Sequence, residues 1–150
     1  MSLLAPIVLV EDDPNDAFFV RHAVEAAQIA NPLVEYQSAE QARREITIPG
    51  ASMAPALFIL DVHLLGNESG VDLLRWLREQ GDPLLSSTPA IMLTGSDRPE
   101  HSTESIRLGA TCVLQKPVTE ETLINAVQSL GCTVVTSLVS GRMMLRLERR

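Results

Sequence analysis

Five short apolar runs, each followed by an amphipathic or polar stretch, constrain this 150-residue chain more than any other feature. They are Ile7-Val8-Leu9-Val10, Leu33-Val34-Glu35-Tyr36-Gln37, Ala56-Leu57-Phe58-Ile59-Leu60, Ala90-Ile91-Met92-Leu93-Thr94 and Thr111-Cys112-Val113-Leu114-Gln115. Runs this short, β-branched and bounded by turn residues, read as strands buried in a sheet. The stretches between them carry helix signals. Asp13-Pro14 is an N-cap followed by proline at the first helical position. It predicts a helix through Phe18, Phe19, His22, Ala23 and Ala26 to about Ala30, broken by Asn31-Pro32. Ser38 with Gln41 is a capping box for a helix through Ile46, and Pro49-Gly50 ends that unit.

Val71, Leu73, Leu74, Trp76 and Leu77 recur at helical spacing over 70–80, closed by Gly81-Asp82-Pro83. A polar helix is expected over 99–108, ended by Gly109. Thr119 caps a last helix to about Leu130, with Glu120 and Glu121 where the macrodipole favours acids. Strands that alternate with helices pair in parallel through right-handed crossovers. The expected fold is therefore α/β: a doubly wound five-stranded parallel sheet of order 2-1-3-4-5.

Composition narrows the class. The length suits one domain over 1–130 with a C-terminal extension over 131–150. Aromatic residues make up 3%, too few for base- or sugar-stacking platforms, and a net charge of -7 argues against a nucleic-acid partner. No apolar stretch is long enough to span a membrane. Glu11-Asp12-Asp13 interrupts the N-terminal apolar run too early for a signal peptide. Cys112 and Cys132 form no disulfide pattern, and the cytoplasm is the expected compartment.

The strand ends carry the chemistry. The first ends in Glu11-Asp12-Asp13, the third in Asp61, the fourth in Thr94 and the fifth in Lys116-Pro117. In the expected strand order these ends converge on one crevice beyond the carboxyl edge of the sheet. Two unit charges ~4 Å apart repel by ~4 kcal/mol at an effective dielectric near 20. Gathered carboxylates thus need a proton, a lysine or a hard cation, and oxygen-only ligands suit Mg2+. Asp13 fits a helix cap better than a ligand, which leaves Glu11 and Asp12. Lys116 is the single lysine beside eleven arginines, a compact charge on a flexible stem rather than a planar fork. Thr94 is followed by Gly95 and Ser96, which leave room for a group to approach Asp61.

The segments IVLVEDDP, LFILDVHLLG, IMLTGSD and VLQKPVT, in that order, resemble the receiver domain of two-component response regulators over about residues 6–130. The resemblance implies the flavodoxin-like receiver fold and a signalling protein that catalyses its own phosphorylation and dephosphorylation. It implies Asp61 as phosphoacceptor, Asp12 as a direct Mg2+ ligand, Glu11 acting through water and the backbone carbonyl of His63 as a further ligand. Mn2+ is an alternative ion. Thr94 would bond the phosphoryl group and Lys116 would pair with it, the phosphoryl donor being a histidine kinase. The stretch VEDDPNDAFFVRHAVEAAQIANPLVEY further resembles the single-domain regulators that partner phytochrome-type kinases.

The chain departs from the family at three places. Leu65 stands where a proline is usual, and the loop to Gly70 is one residue longer. Val113 holds the place of the aromatic switch residue, so an aromatic swing cannot carry the signal. A flavodoxin-type flavin carrier is disfavoured, because Glu11-Asp12-Asp13 would repel a phosphate without a metal. A haloacid-dehalogenase phosphatase is disfavoured because His63 stands where its second aspartate belongs. A receiver reduced to a dimeric scaffold or phosphate sink is the remaining alternative.

Beyond Leu130, Val134, Val135 and Leu138 keep helical spacing with Leu130 and are read as a prolongation of the last helix. Met143, Leu145 and Leu147 alternate with Met144, Arg146 and Glu148 as a strand does, and the only free place in the sheet is an edge. An apolar tail with four arginines in its last nine residues suits an acidic partner surface, here a second copy of the chain. The expectation is a homodimer in which the segment after about residue 139 reaches across, with output by protein contact and no DNA-binding domain.

Overall fold

A computed structural model describes residues 4–46, 55–64, 66, 68–95, 99–130, 133–139 and 142–148. Pro49-Gly50, Leu65, Ser96 and Cys132 lie outside them. The elements run β1 (Ile7–Val10), α1 (Pro14–Ala26), β2 (Leu33–Tyr36), α2 (Ala39–Ile46), β3 (Leu57–Asp61), α3 (Gly70–Arg78) and α4 (Pro83–Ser86). They continue with β4 (Ala90–Thr94), α5 (Pro99–Arg107), β5 (Cys112–Gln115), α6 (Glu120–Ser129), β6 (Thr133–Val139) and β7 (Arg142–Glu148).

The first five strands form one parallel sheet of order β2-β1-β3-β4-β5, as the alternation of the sequence requires. Strand side chains alternate between faces, so each strand feeds two cores. Ile7, Leu9, Leu57, Ile59, Ile91 and Leu93 pack against α1 and α6 on one face. Val8, Val10, Phe58, Leu60 and Met92 pack against α2 and α3 on the other. The central strands β1, β3 and β4 are buried along their whole length, which is why their sequences are continuous apolar runs. Arg78, at the end of α3, donates to the carbonyls of Ser86, Thr88 and Gly109 at 3.2, 2.7 and 2.9 Å, tying the lead-ins to β4 and β5 together. Gly109 takes a φ of 90°, the left-handed value expected of a residue that ends a helix.

Four expectations need correction. The first helix ends at Ala26, short of Ala30, because Gln28 turns left-handed (φ 58°) and Ile29 swings into the core. The Gly81-Asp82-Pro83 stop is followed at once by a one-turn helix, α4, with the Asp82 carbonyl accepting from Leu85 and Ser86. The segment after Leu130 does not prolong the last helix. Leu130 is extended (ψ 155°) and 133–139 form β6, where the β-branched Thr133, Val134, Val135 and Thr136 are better accommodated.

The strand expected over 143–148 exists as β7, but it pairs antiparallel with β6 instead of joining an edge of the main sheet. Its outer side meets the α1–β2 turn. Ala30 N donates to Leu145 O and Leu145 N to Gln28 O, both at 2.7 Å. Asn31 acts as one more ladder rung: its Oδ1 accepts from Leu147 N (2.7 Å), and its Nδ2 donates to Leu147 O (2.9 Å) and Ala5 O (2.8 Å). Leu147, 1% exposed, completes the core on the α1 face.

Leu147→Ala should therefore lower stability by about 2–4 kcal/mol. Asn31→Ala, which strands buried backbone groups, should cost about 1–3 kcal/mol. Urea unfolding followed by circular dichroism measures both, and wild-type midpoints would show that the hairpin is not part of the folded unit.

Candidate functional site

Parallel strands that end together leave their last residues around one crevice. Glu11 follows β1, with its N–H on Tyr36 O (3.0 Å) still continuing the ladder, and is 4% exposed. Asp13 accepts from Asn15 N (2.8 Å) and Asp16 N (3.4 Å), so it caps α1 as its sequence context indicates. Asp61 closes β3 at 2% exposure, and its Oδ1 accepts from His63 N at 3.1 Å. The backbone N–H of His63 thus faces the acid while its side chain is exposed. Thr94 closes β4, buried, and its carbonyl accepts from Lys116 N at 2.8 Å. The Lys116–Pro117 peptide is cis.

Lys116 is the hub. Its Nζ donates to Asp61 Oδ2 at 2.9 Å and to Asp16 Oδ2 at 2.8 Å, and lies 3.0 Å from Glu11 Oε2. That Glu11 oxygen is buried without a hydrogen bond, so its approach to the ammonium is a charge contact alone. Carboxylate oxygens of Glu11, Asp12 and Asp61 come within 4.8 Å of one another. Val113 lies on β5 opposite Met92, half-buried against the α3 core.

Two residues of the site were not apparent in the sequence. Asp16 is an acid in the first turn of α1 that the sequence alone does not single out; its one available signal is its place four residues after Asp12, one turn up the helix that leaves the β1 acids. Gly70 is the other. Its N–H donates to Val62 O at 3.0 Å, and a Cβ there would stand 1.9 Å from the Asp61 carbonyl oxygen. Only glycine lets α3 begin against the backbone that carries Asp61, and no sequence pattern announces such a contact.

One lysine cannot neutralise four acids. Burial works against the charge on Lys116, but hydrogen bonds to Asp16 and Asp61 and the close Glu11 carboxylate outweigh it and hold the ammonium above its ordinary range. Burial and the neighbouring Asp61 push the Glu11 carboxyl from 4.5 to about 8. The raised Glu11 carboxyl reflects the same deficit: without a second cation, it holds its proton more tightly than a free carboxyl. Oxygen-only donors, among them a buried carboxylate oxygen that accepts no hydrogen bond, fit a hard divalent ion, with Glu11, Asp12 and Asp61 as the residues able to hold it.

The sequence model of the response regulator receiver domain matches residues 7–128. The chain belongs to that family. Among solved structures, the bacteriophytochrome response regulator AtBRR is 30% identical over 93% of this chain and 99% of its own, with a TM-score of 0.76. The bacteriophytochrome response regulator RtBRR is 29% identical over 93% of this chain and 86% of its own, with a TM-score of 0.77. The Mn2+-bound form of response regulator Rcp1 shares the fold at 24% identity, covering 81% of this chain and 88% of its own, with a TM-score of 0.68. No curated protein matches the sequence. Among the described residues of this receiver, no helix is long and apolar enough to cross a membrane.

The raised carboxyl sets a pH dependence. The folded receiver binds the Glu11 proton more tightly than the unfolded chain does. The stability this contributes is complete below about pH 4.5 and is lost as pH rises to about 8. In metal-free protein, Glu11→Gln should flatten that decline across the same window. Denaturant unfolding at a series of pH values is the check, and parallel curves for the two proteins would contradict it.

Proposed function

We propose that this receiver takes a phosphoryl group from the phosphohistidine of a histidine kinase onto Asp61. The observation that carries this is the Lys116 ammonium 2.9 Å from an oxygen of a buried Asp61, beside an acidic cluster fit for a metal. An Asp61 oxygen bonds to phosphorus as the P–N bond breaks, and the bonding pair returns to the imidazole. Lys116 meets the charge on the transferred oxygens, and the Thr94 hydroxyl bonds the group once it is in place. Glu11, Asp12 and Asp61, with the His63 carbonyl as the family pattern adds, would hold Mg2+ or Mn2+, which supplies further positive charge to the phosphoryl oxygens. Water then attacks the phosphorus slowly, releasing inorganic phosphate and restoring the Asp61 carboxylate, so that the receiver would catalyse both its own phosphorylation and its dephosphorylation. The kinship with bacteriophytochrome response regulators supports a phytochrome-type kinase as donor, in the cytoplasm.

Incubation with acetyl phosphate and Mg2+ should add a single phosphoryl group by intact-mass spectrometry, and Asp61→Asn should abolish it. Undiminished labelling of the variant would falsify Asp61 as acceptor, and a wild-type protein that takes no label would leave the scaffold alternative.

The output is read as protein contact through a homodimer. The β6–β7 hairpin lies beyond the receiver match, and β7 docks through backbone bonds, the Asn31 amide and the Leu147 plug. The same contacts made in trans would join two protomers by exchange of arms. Truncation after Ser140 should then give a smaller, monomeric particle by light scattering. A truncated protein with the wild-type mass and concentration dependence would reject the arm as the dimerisation element.

A further inference from the structure

Of the three carboxylates that meet Lys116, Glu11 and Asp61 belong to the group able to hold a cation, and Asp61 is also the proposed acceptor. Asp16 belongs to neither. It makes the shortest of the three contacts, 2.8 Å, and its side chain is 30% exposed at the rim. A cation entering among Glu11, Asp12 and Asp61 competes for the oxygens that Lys116 now touches. A phosphoryl group on Asp61 takes another. Each event removes partners from the ammonium, and Asp16 is the partner that neither event removes.

Its position does not depend on what the site contains. Asp16 stands in the first turn of α1, fixed by the Asp13 cap and by Pro14 at the first helical position. The positive end of the helix favours its charge. The other end of the lysine is equally fixed, by Lys116 N on Thr94 O at 2.8 Å. Between these anchors runs a flexible four-carbon stem that would otherwise explore many rotamers.

We propose that Asp16 is a positioning residue for Lys116: it holds the ammonium beside Asp61 while cation and phosphoryl group displace its other carboxylate partners. The proposal rests on Asp61 as phosphoacceptor. Asp16 also adds negative charge near an incoming phosphoryl group. Positioning and repulsion have opposite signs on removal of that charge. If positioning dominates, Asp16→Asn slows transfer; if repulsion dominates, it speeds transfer.

The test measures labelling by acetyl phosphate as a function of Mg2+ in the full chain. Asp16→Asn should lower the maximal rate by about 5- to 20-fold, while the half-saturating Mg2+ concentration moves by about twofold or less. Asp16→Glu should recover part of the rate. On a Lys116→Ala background, Asp16→Asn should change nothing further, since the residue it positions is gone. Lys116 is the chain's sole lysine, so its ammonium NMR signal needs no assignment. That signal should be protected from solvent exchange in wild type, with and without Mg2+, and should broaden in Asp16→Asn. Labelling of Asp16→Asn at or above the wild-type rate overturns the proposal. So does an undiminished effect on the Lys116→Ala background, or an unchanged ammonium signal. Wild-type protein that takes no phosphoryl group sinks the Asp61 reading instead, and the ammonium signal, recorded without any phosphodonor, still decides for or against Asp16.

Discussion

Everything at the carboxyl edge of this sheet follows from gathering more negative charge than one lysine can balance. Glu11, Asp12, Asp16 and Asp61 face the same crevice, and Lys116 is the only lysine in the chain. Burial raises the stakes, since Asp61 and Glu11 are almost wholly withdrawn from water. The receiver responds by placing the ammonium against three of the four acids, Glu11, Asp16 and Asp61, and by raising the Glu11 carboxyl so that it holds its proton more tightly. Such a site is unfinished by construction. It favours whatever brings further positive charge, and a group with negative oxygens becomes tolerable only when that charge has arrived.

The rest of the fold serves that placement. Parallel pairing aligns the ends of β1, β3, β4 and β5 along one edge of the sheet. Val62 N on Leu93 O at 2.8 Å and Lys116 N on Thr94 O at 2.8 Å carry the ladder past the strand ends, so Asp61, Thr94 and Lys116 are held by backbone as well as by packing. Gly70 then lets α3 press directly on the Asp61 carbonyl. The acids tolerate their mutual repulsion because two cores fix the strands that bear them.

The sheet, its order and the crevice were legible in the sequence, because each depends on a repeated local signal: a buried run, a cap, a stop. Asp13 capping α1 and Thr119 capping α6 are of this kind. Asp16 and Gly70 were not legible as members of the site. Their roles depend on residues 100 and 9 positions away, Lys116 and Asp61, and nothing in their neighbours marks the contact. The region after Leu130 misled for a different reason. Val134, Val135 and Leu138 satisfy helical spacing, but residues 133–139 also satisfy a strand, and periodicity cannot choose between them. The choice falls to β7, whose alternation supplies a partner for β6, and to Asn31, which offers Leu147 a rung outside any strand.

Val113 bears on how a change at the site would be felt elsewhere. A β-branched residue is restricted at χ1 and has no ring to move between a buried and an exposed pocket. Half-buried opposite Met92, it packs against the α3 core and stays with it. A signal starting at Asp61 must then leave through groups that can shift: the Thr94 side chain, the backbone that joins Thr94 to Lys116, and the Lys116 ammonium. Lys116 reaches Asp16 in α1, and α1 runs on into the turn of Gln28, Ala30 and Asn31 that holds β7. One contiguous set of contacts therefore connects the acid cluster to the hairpin without passing through Val113. It identifies α1, rather than the α5–β5 face, as the element through which charge at Asp61 and docking of the arm would have to influence each other.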